Sequence, residues 1–137
     1  MTGVPSREQR AWLVPMADGE VIGEEIAYAK VTLGLRVVGT RNDGFHDIEA
    51  LTVFAMTPHD RVTVSVAANT DSTVSVHGTG AVGVPEDDRN LALRAWVALS
   101  ELAPLPPVHI DIEKRIPAGA GLGGGSADAA AVIRIAS

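Results

Sequence analysis

Apolar residues recur at every second position from Ile26 onward. Ala27, Ala29, Val31, Leu33, Leu35 and Val37 would share one face of a strand. Gly39-Thr-Arg-Asn-Asp-Gly44 breaks the alternation with turn residues. Ile48–Thr57 is moderately apolar and reads as extended. Val62, Val64 and Val66 alternate in the next run, Ala67–Asp71 turns, and Val74 and Val76 alternate again within Thr73–His77. Those two runs read as a hairpin. The period then lengthens. Asn90–Leu102 puts Leu93, Trp96, Val97 and Ser100 on one helical stripe. The acidic Glu86-Asp-Asp before it suits a helix N-terminus, and Pro104, Pro106 and Pro107 end it. Val108, Ile110 and Ile112 alternate in a further strand, a Gly-rich loop follows, and Ser126–Ala136 reads as a helix with Ser126 at its cap. Residues 1–25 lack a clear period and form an N-terminal arm, from which Trp12 and Leu13 could dock on the core. Residues 26–137 form one domain, without repeat or linker. Strands, helix, strand, loop and helix in that order predict an α+β fold: a mixed sheet with helices on one face.

Composition narrows the functions open to such a domain. With 137 residues, 46% apolar and 20% charged, the chain can bury a core. A formal net charge of −6 argues against a nucleic-acid or anionic-membrane surface. It leaves room for one small anion, because backbone amides bind anions without cationic side chains. Cysteine is absent, which removes disulfides, thiolate metal sites and a catalytic thiol. No apolar run approaches the length of a membrane span and the N-terminus lacks a signal-peptide pattern, so a cytoplasmic location is expected.

The strongest chemical signal is Ile116-Pro-Ala-Gly-Ala-Gly-Leu-Gly-Gly-Gly-Ser-Ala-Asp128, with five glycines in the seven residues Gly119–Gly125, between a predicted strand and a predicted helix. Glycine backbones can aim successive N–H groups at one point, and the helix adds unpaired N–H groups and the positive end of its dipole. Together they suit phosphate; a flexible turn is the alternative. No GxxxxGK[ST] is present. Gly119–Gly124 does fit G-x-G-x-x-G, but the following strand and acid of a dinucleotide fold are not in the chain. Two weaker signals precede the loop. Lys30 lies inside an apolar alternating strand, where it is either functional or simply solvated. Asp43-Gly-Phe-His46 is a turn whose Phe45 and His46 could stack on and hydrogen-bond a flat base, or merely pack. His59, His77 and His109 show no metal-ligand spacing.

These pieces come in one order: Ala-Lys30-Val-Thr-Leu, Gly-Thr-Arg-Asn-Asp-Gly-Phe45-His46, then Lys-Arg-Ile-Pro117 leading to Gly-Leu-Gly-Gly-Gly-Ser126-Ala-Asp-Ala-Ala. The order resembles the GHMP small-molecule kinases, and within them the branch acting on 4-diphosphocytidyl-2-C-methyl-D-erythritol in non-mevalonate isoprenoid synthesis. The resemblance runs from about Ile26 to the end. It implies the fold of ribosomal protein S5 domain 2, with a left-handed βαβ unit. It implies transfer of the γ-phosphoryl of ATP, carried with Mg²⁺, to the 2-hydroxyl of that small-molecule substrate. ATP would lie on Pro117, Ala118, Gly119, Ala120, Gly121, Leu122, Gly123, Gly124, Gly125, Ser126 and Ala127. Lys30 would be catalytic, favouring the attacking alkoxide. Phe45 would stack on cytosine, His46 would hydrogen-bond it, and Thr32 would stand by the substrate. Departures are Thr32 in place of the usual Asn and Thr52 in place of a large apolar residue. The family's catalytic Asp belongs to a Gly-Ala-Asp-Val-Pro-like segment after the last helix, which this sequence lacks; Asp128 does not take that role. The expectation is therefore the N-terminal ATP-binding part of a two-domain kinase, inactive alone and prone to self-association through the uncovered Ala/Val/Ile face of its last helix. Two alternatives are another GHMP kinase and a non-catalytic nucleotide-binding module.

Overall fold

The computed structural model describes residues 16–137. Trp12 and Leu13 lie outside them. The elements are β1 (Val21–Thr40), β2 (His46–Val66), β3 (Thr73–His77), α1 (Leu91–Ser100), β4 (Val108–Glu113) and α2 (Gly124–Ile135). They form one mixed four-stranded sheet in the order β1-β2-β4-β3. The α+β reading is therefore right. β1 begins at Val21, so the last five residues assigned to the arm belong to the sheet.

The expected hairpin between Arg61–Val66 and Thr73–His77 does not form. β4 lies between the two runs, pairing antiparallel with β2 (Val62 with Ile112, Val64 with Ile110) and parallel with β3 (Val74 with Ile110). The parallel pair is joined through α1, which makes β3-α1-β4 a βαβ unit. Alternation alone reports that a strand has one apolar face; it does not report its neighbour. Here the crossover through α1 returns the chain parallel to β3, and β4 takes the place between β3 and β2.

One face of the sheet carries the core. Ala27, Val62, Val64, Val74, Val108, Ile110 and Ile112 pack there against Ala92, Leu93 and Trp96 of α1 and Ala131 and Val132 of α2. The α1 stripe is thus Ala92-Leu93-Trp96, while Val97 and Ser100 face outward, one position off the pattern read from the sequence. Trp96 is fully buried and donates its ring N–H to the Pro106 carbonyl at 3.1 Å. α1 is capped by Asn90, whose Oδ1 accepts from the amides of Ala92 (2.9 Å) and Leu93 (3.5 Å) while its Nδ2 donates to the Pro85 carbonyl (2.8 Å). Asn90→Ala removes all three bonds; urea unfolding is expected to show a loss of about 1–2 kcal/mol.

The face of α2 expected to be bare is covered: Ala131 and Val132 are fully buried. The uncovered apolar surface lies instead on the outer half of the β1–β2 ribbon. Ala27 and Ala29 are buried, but register shifts at Tyr28/Ala29 and Thr32/Gly34 break the alternation, and Leu33, Leu35 and Val37 are exposed. Ile48, Leu51, Phe54 and Met56 on the partner strand are exposed too. The turn closes where Arg41 donates its amide to the Phe45 carbonyl (2.7 Å) and the Phe45 amide donates to Asp43 Oδ1 (3.1 Å). No helix among the described residues is long and apolar enough to cross a membrane.

Candidate functional site: a Gly-rich loop clamped at both ends

The loop leaves β4 at Lys114 and enters α2 at Gly123. Gly119, Gly121 and Gly123 all take positive φ, between 69° and 73°. Gly123 is the N-cap, in left-handed backbone geometry, and no side chain caps the helix. Ser126 therefore sits inside the first turn and is not the cap. A Ser at the cap would have consumed an amide; an αL glycine leaves the first-turn amides free. Among the described residues, no amide from Ala118 to Gly123 donates to a backbone carbonyl. A Cβ at Gly119 or Gly121 would meet nothing within 4 Å, so the cradle is open.

Opposite the loop stands the segment that leads into α1. Gly83, Val84, Pro85, Arg89, Asn90 and Leu91 form the second wall of a cavity of about 220 Å³, and Pro117–Gly125 form the first. Ser126 and Ala127 of the predicted site do not line it. The Arg89 guanidinium is held by Asp87 through bonds of 2.7–3.1 Å and keeps that carboxyl at a pKa of about 2. Lys30 stands at the loop's end: its amide donates to the Leu122 carbonyl at 2.8 Å. A Cβ on Gly123 would come within 3.0 Å of its Cε. Position 123 is thus fixed by its φ and by this close approach.

Phe45, His46 and Thr32 are elsewhere. Thr32 faces Thr52 across the ribbon, Oγ1 to Oγ1, at 3.5 Å. Phe45 and His46 occupy the ribbon's turn, where Phe45 is exposed and His46 Nδ1 lies 3.2 Å from Thr40 Oγ1. From Lys30 to Thr40 the strand extends about 33 Å at about 3.3 Å per residue. The two ends of the predicted site share one strand but not one pocket.

Below the loop lies a cluster that sequence reading missed. Lys114 Nζ donates to Asp60 Oδ2 (2.5 Å) and to Asp128 Oδ2 (2.6 Å), and all three side chains are buried. Asp60 Oδ1 also accepts the amides of Arg115 (2.6 Å) and Ile116 (2.8 Å). β2 thereby holds the start of the loop, and Asp128 on α2 ties down its end. A Cβ at Gly124 would lie 2.8 Å from Lys114 Nζ and 3.0 Å from Ile116 Cγ2, so this glycine makes room for the lysine. Burial pushes the Asp128 carboxyl up to a pKa of about 7, opposed by the Lys114 ammonium and reinforced by Asp60. The only signal in the sequence is a lysine just past the end of an apolar strand, two residues before Ile116-Pro117.

The comparisons agree with this geometry. Residues 90–137 match the family described as GHMP kinases N terminal domain. A 4-diphosphocytidyl-2-C-methyl-D-erythritol kinase of Mesorhizobium japonicum is 48% identical over 111 residues, covering 79% of this chain and 37% of the relative. The enzyme of that name from Kineococcus radiotolerans is 47% identical over 110 residues, covering 78% and 33%. A crystal structure of 4-(cytidine 5'-diphospho)-2C-methyl-D-erythritol kinase superposes with a TM-score of 0.62 at 42% identity, covering 82% of this chain and 38% of that one. Homoserine kinase from Cytophaga hutchinsonii shares the fold at 20% identity and a TM-score of 0.58. The chain spans just over a third of the length of the Mesorhizobium relative. The fold superposes on a solved kinase at 42% identity, and it is residues 90–137, from the cap of α1 through the glycine loop and α2, that carry the match to the GHMP kinases' N-terminal domain.

Proposed function

We propose that this chain supplies the ATP-binding half of a cytoplasmic kinase that phosphorylates the 2-hydroxyl of 4-diphosphocytidyl-2-C-methyl-D-erythritol. One observation carries the reading: an open cradle of free amides at the uncapped start of α2, with Lys30 laid against its last glycine. Amides and helix dipole would hold the nucleotide phosphates along Pro117–Ala127. Mg²⁺ would arrive on those phosphates and offset part of their charge. The substrate hydroxyl would give its proton to the catalytic Asp that the resemblance places outside this sequence, and its oxygen would form the new O–P bond as the bond from the γ-phosphorus to the bridging oxygen breaks and ADP departs. Lys30 would stabilise the charge on the attacking oxygen. Thr32, Phe45 and His46 would serve the diphosphocytidyl end, since a long substrate is what could use both the ribbon turn and the loop. The named relatives at 47–48% identity support this choice of substrate. The exposed apolar ribbon is where the isolated chain would self-associate.

The experiment is a chimera. Residues 1–137 alone are expected to show negligible turnover. Joined to the remaining sequence of the Mesorhizobium relative, they are expected to phosphorylate the diphosphocytidyl substrate in an ADP-release assay. A folded chimera that ignores this substrate and accepts another from a panel of small alcohols would overturn the reading. Thr32 and Thr52, which face each other and depart from the residues that the resemblance implies there, are the positions that such an outcome would implicate.

A further inference from the structure

Two carboxylates share one ammonium beneath the loop. With both ionised, the buried cluster of Asp60, Lys114 and Asp128 has a net negative charge directly under a site built for an anion. Asp128 Oδ1 is buried and has no hydrogen-bond partner, although Asp128 lines the loop cavity. Such an acceptor is costly to leave unmade, whereas a proton on the carboxyl removes the excess charge. We propose that Asp128 is a proton-linked positioning residue: nucleotide polyphosphate binding on the loop is coupled to uptake of one proton by this carboxyl group, which keeps the clamp neutral while the anion is bound. The proposal rests on the reading of the loop as a phosphate site.

The surroundings leave Asp128 as the group that responds. Lys114 from the end of β4 and Asp60 from β2 face it directly. Lys30 approaches the start of the helix from β1. Arg89 lines the cavity but is engaged by Asp87. The face of α1 that packs inward is Ala92, Leu93 and Trp96, without charge. Within α2 itself Arg134 is paired with Glu25. The carboxyl sits at a pKa of about 7 before any anion arrives. A polyphosphate adds negative charge beside it in a poorly screened interior and raises its proton affinity further. By linkage the reverse holds: the protonated form binds the anion more tightly. At a pH where part of the molecules lack the proton, binding takes up a fraction of a proton per site.

The test is calorimetric titration of the chain with MgATP at pH 7 in buffers of different ionisation enthalpy. Net proton uptake is expected, falling towards zero at pH 5 where the carboxyl is already protonated, together with an affinity that weakens several-fold as the pH rises from 7 to 8. Asp128→Asn should bind MgATP with neither proton uptake nor that pH slope. Binding by the unaltered chain without proton uptake, or a folded Asp128→Asn chain with undiminished uptake, overturns the proposal and leaves the loop reading intact. No binding at any pH overturns the loop reading, and the proposal with it. Should Asp128→Asn not fold, the carboxyl ¹³C signal of Asp128 in the unaltered chain decides: its titration must move to higher pH with MgATP, and an unmoved titration overturns the proposal.

Discussion

Lys114→Met is expected to remove a large part of the chain's stability at neutral pH. The substitution keeps an unbranched stem one atom shorter than lysine's and removes the charge. Asp60 and Asp128 would then face each other, both fully buried, with no cation between them. Breaking a buried ion pair from one side costs about 3–5 kcal/mol, because the remaining charge has neither water nor partner. That is a large part of the stability of an ordinary domain. The pH dependence identifies the cause. In the variant both carboxyls need protons to be tolerated, so its stability should recover as the pH falls towards 4. Circular dichroism during urea unfolding at pH 7 and pH 4.5 measures this. The triple variant Lys114→Met, Asp60→Asn, Asp128→Asn should regain much of the loss at pH 7, since no buried charge is left. A stable Lys114→Met chain at pH 7 would show that the cluster is not what holds the loop.

Much of the fold is legible in the sequence, and what is not has a physical cause. Val62, Val64 and Val66 announce a strand by period alone, as do Val108, Ile110 and Ile112. Their adjacency is not written in either run, because every alternating strand offers the same apolar face. The long ribbon misleads for a related reason. Its apolar positions predict burial, but beyond Val31 the strand leaves the layer that the helices cover, and both of its faces are exposed from Thr32 to Val38. For the loop, the run of glycines between a strand and a helix predicts the open turn that forms there, with positive φ at Gly119, Gly121 and Gly123. Ser126 was misplaced because cap preference favours serine, while here φ at Gly123 decides where the helix begins. The Lys114 cluster was invisible because its members are separated by 54 and 14 positions and meet only when β2, β4 and α2 come together. A lone buried lysine is rare enough that a charge at the end of an apolar strand deserves the question of what neutralises it.

In the active chimera, Lys30→Met should reduce kcat by about 100- to 1,000-fold, the scale of losing one preorganised donor at a developing oxyanion. The structure separates this effect from folding. Lys30 is exposed, and the bond that ties β1 to the loop comes from its main chain, whose amide reaches the Leu122 carbonyl at 2.8 Å in any variant except proline. The aliphatic stem that lies against Gly123 is kept by methionine. Stability and MgATP affinity should therefore change little, with the loss falling on kcat. Lys30→Arg separates charge from position: it restores the charge, but its broad planar head must fit where a narrow ammonium stem already leaves only 3.0 Å for an added carbon on Gly123. It should recover only part of the rate. Single-turnover phosphoryl transfer at saturating ATP and substrate reads the chemical step directly. If Lys30→Met transferred phosphate at the unaltered rate, the charge on attack would have to come from another side chain, and Lys30 would serve the loop only through its backbone.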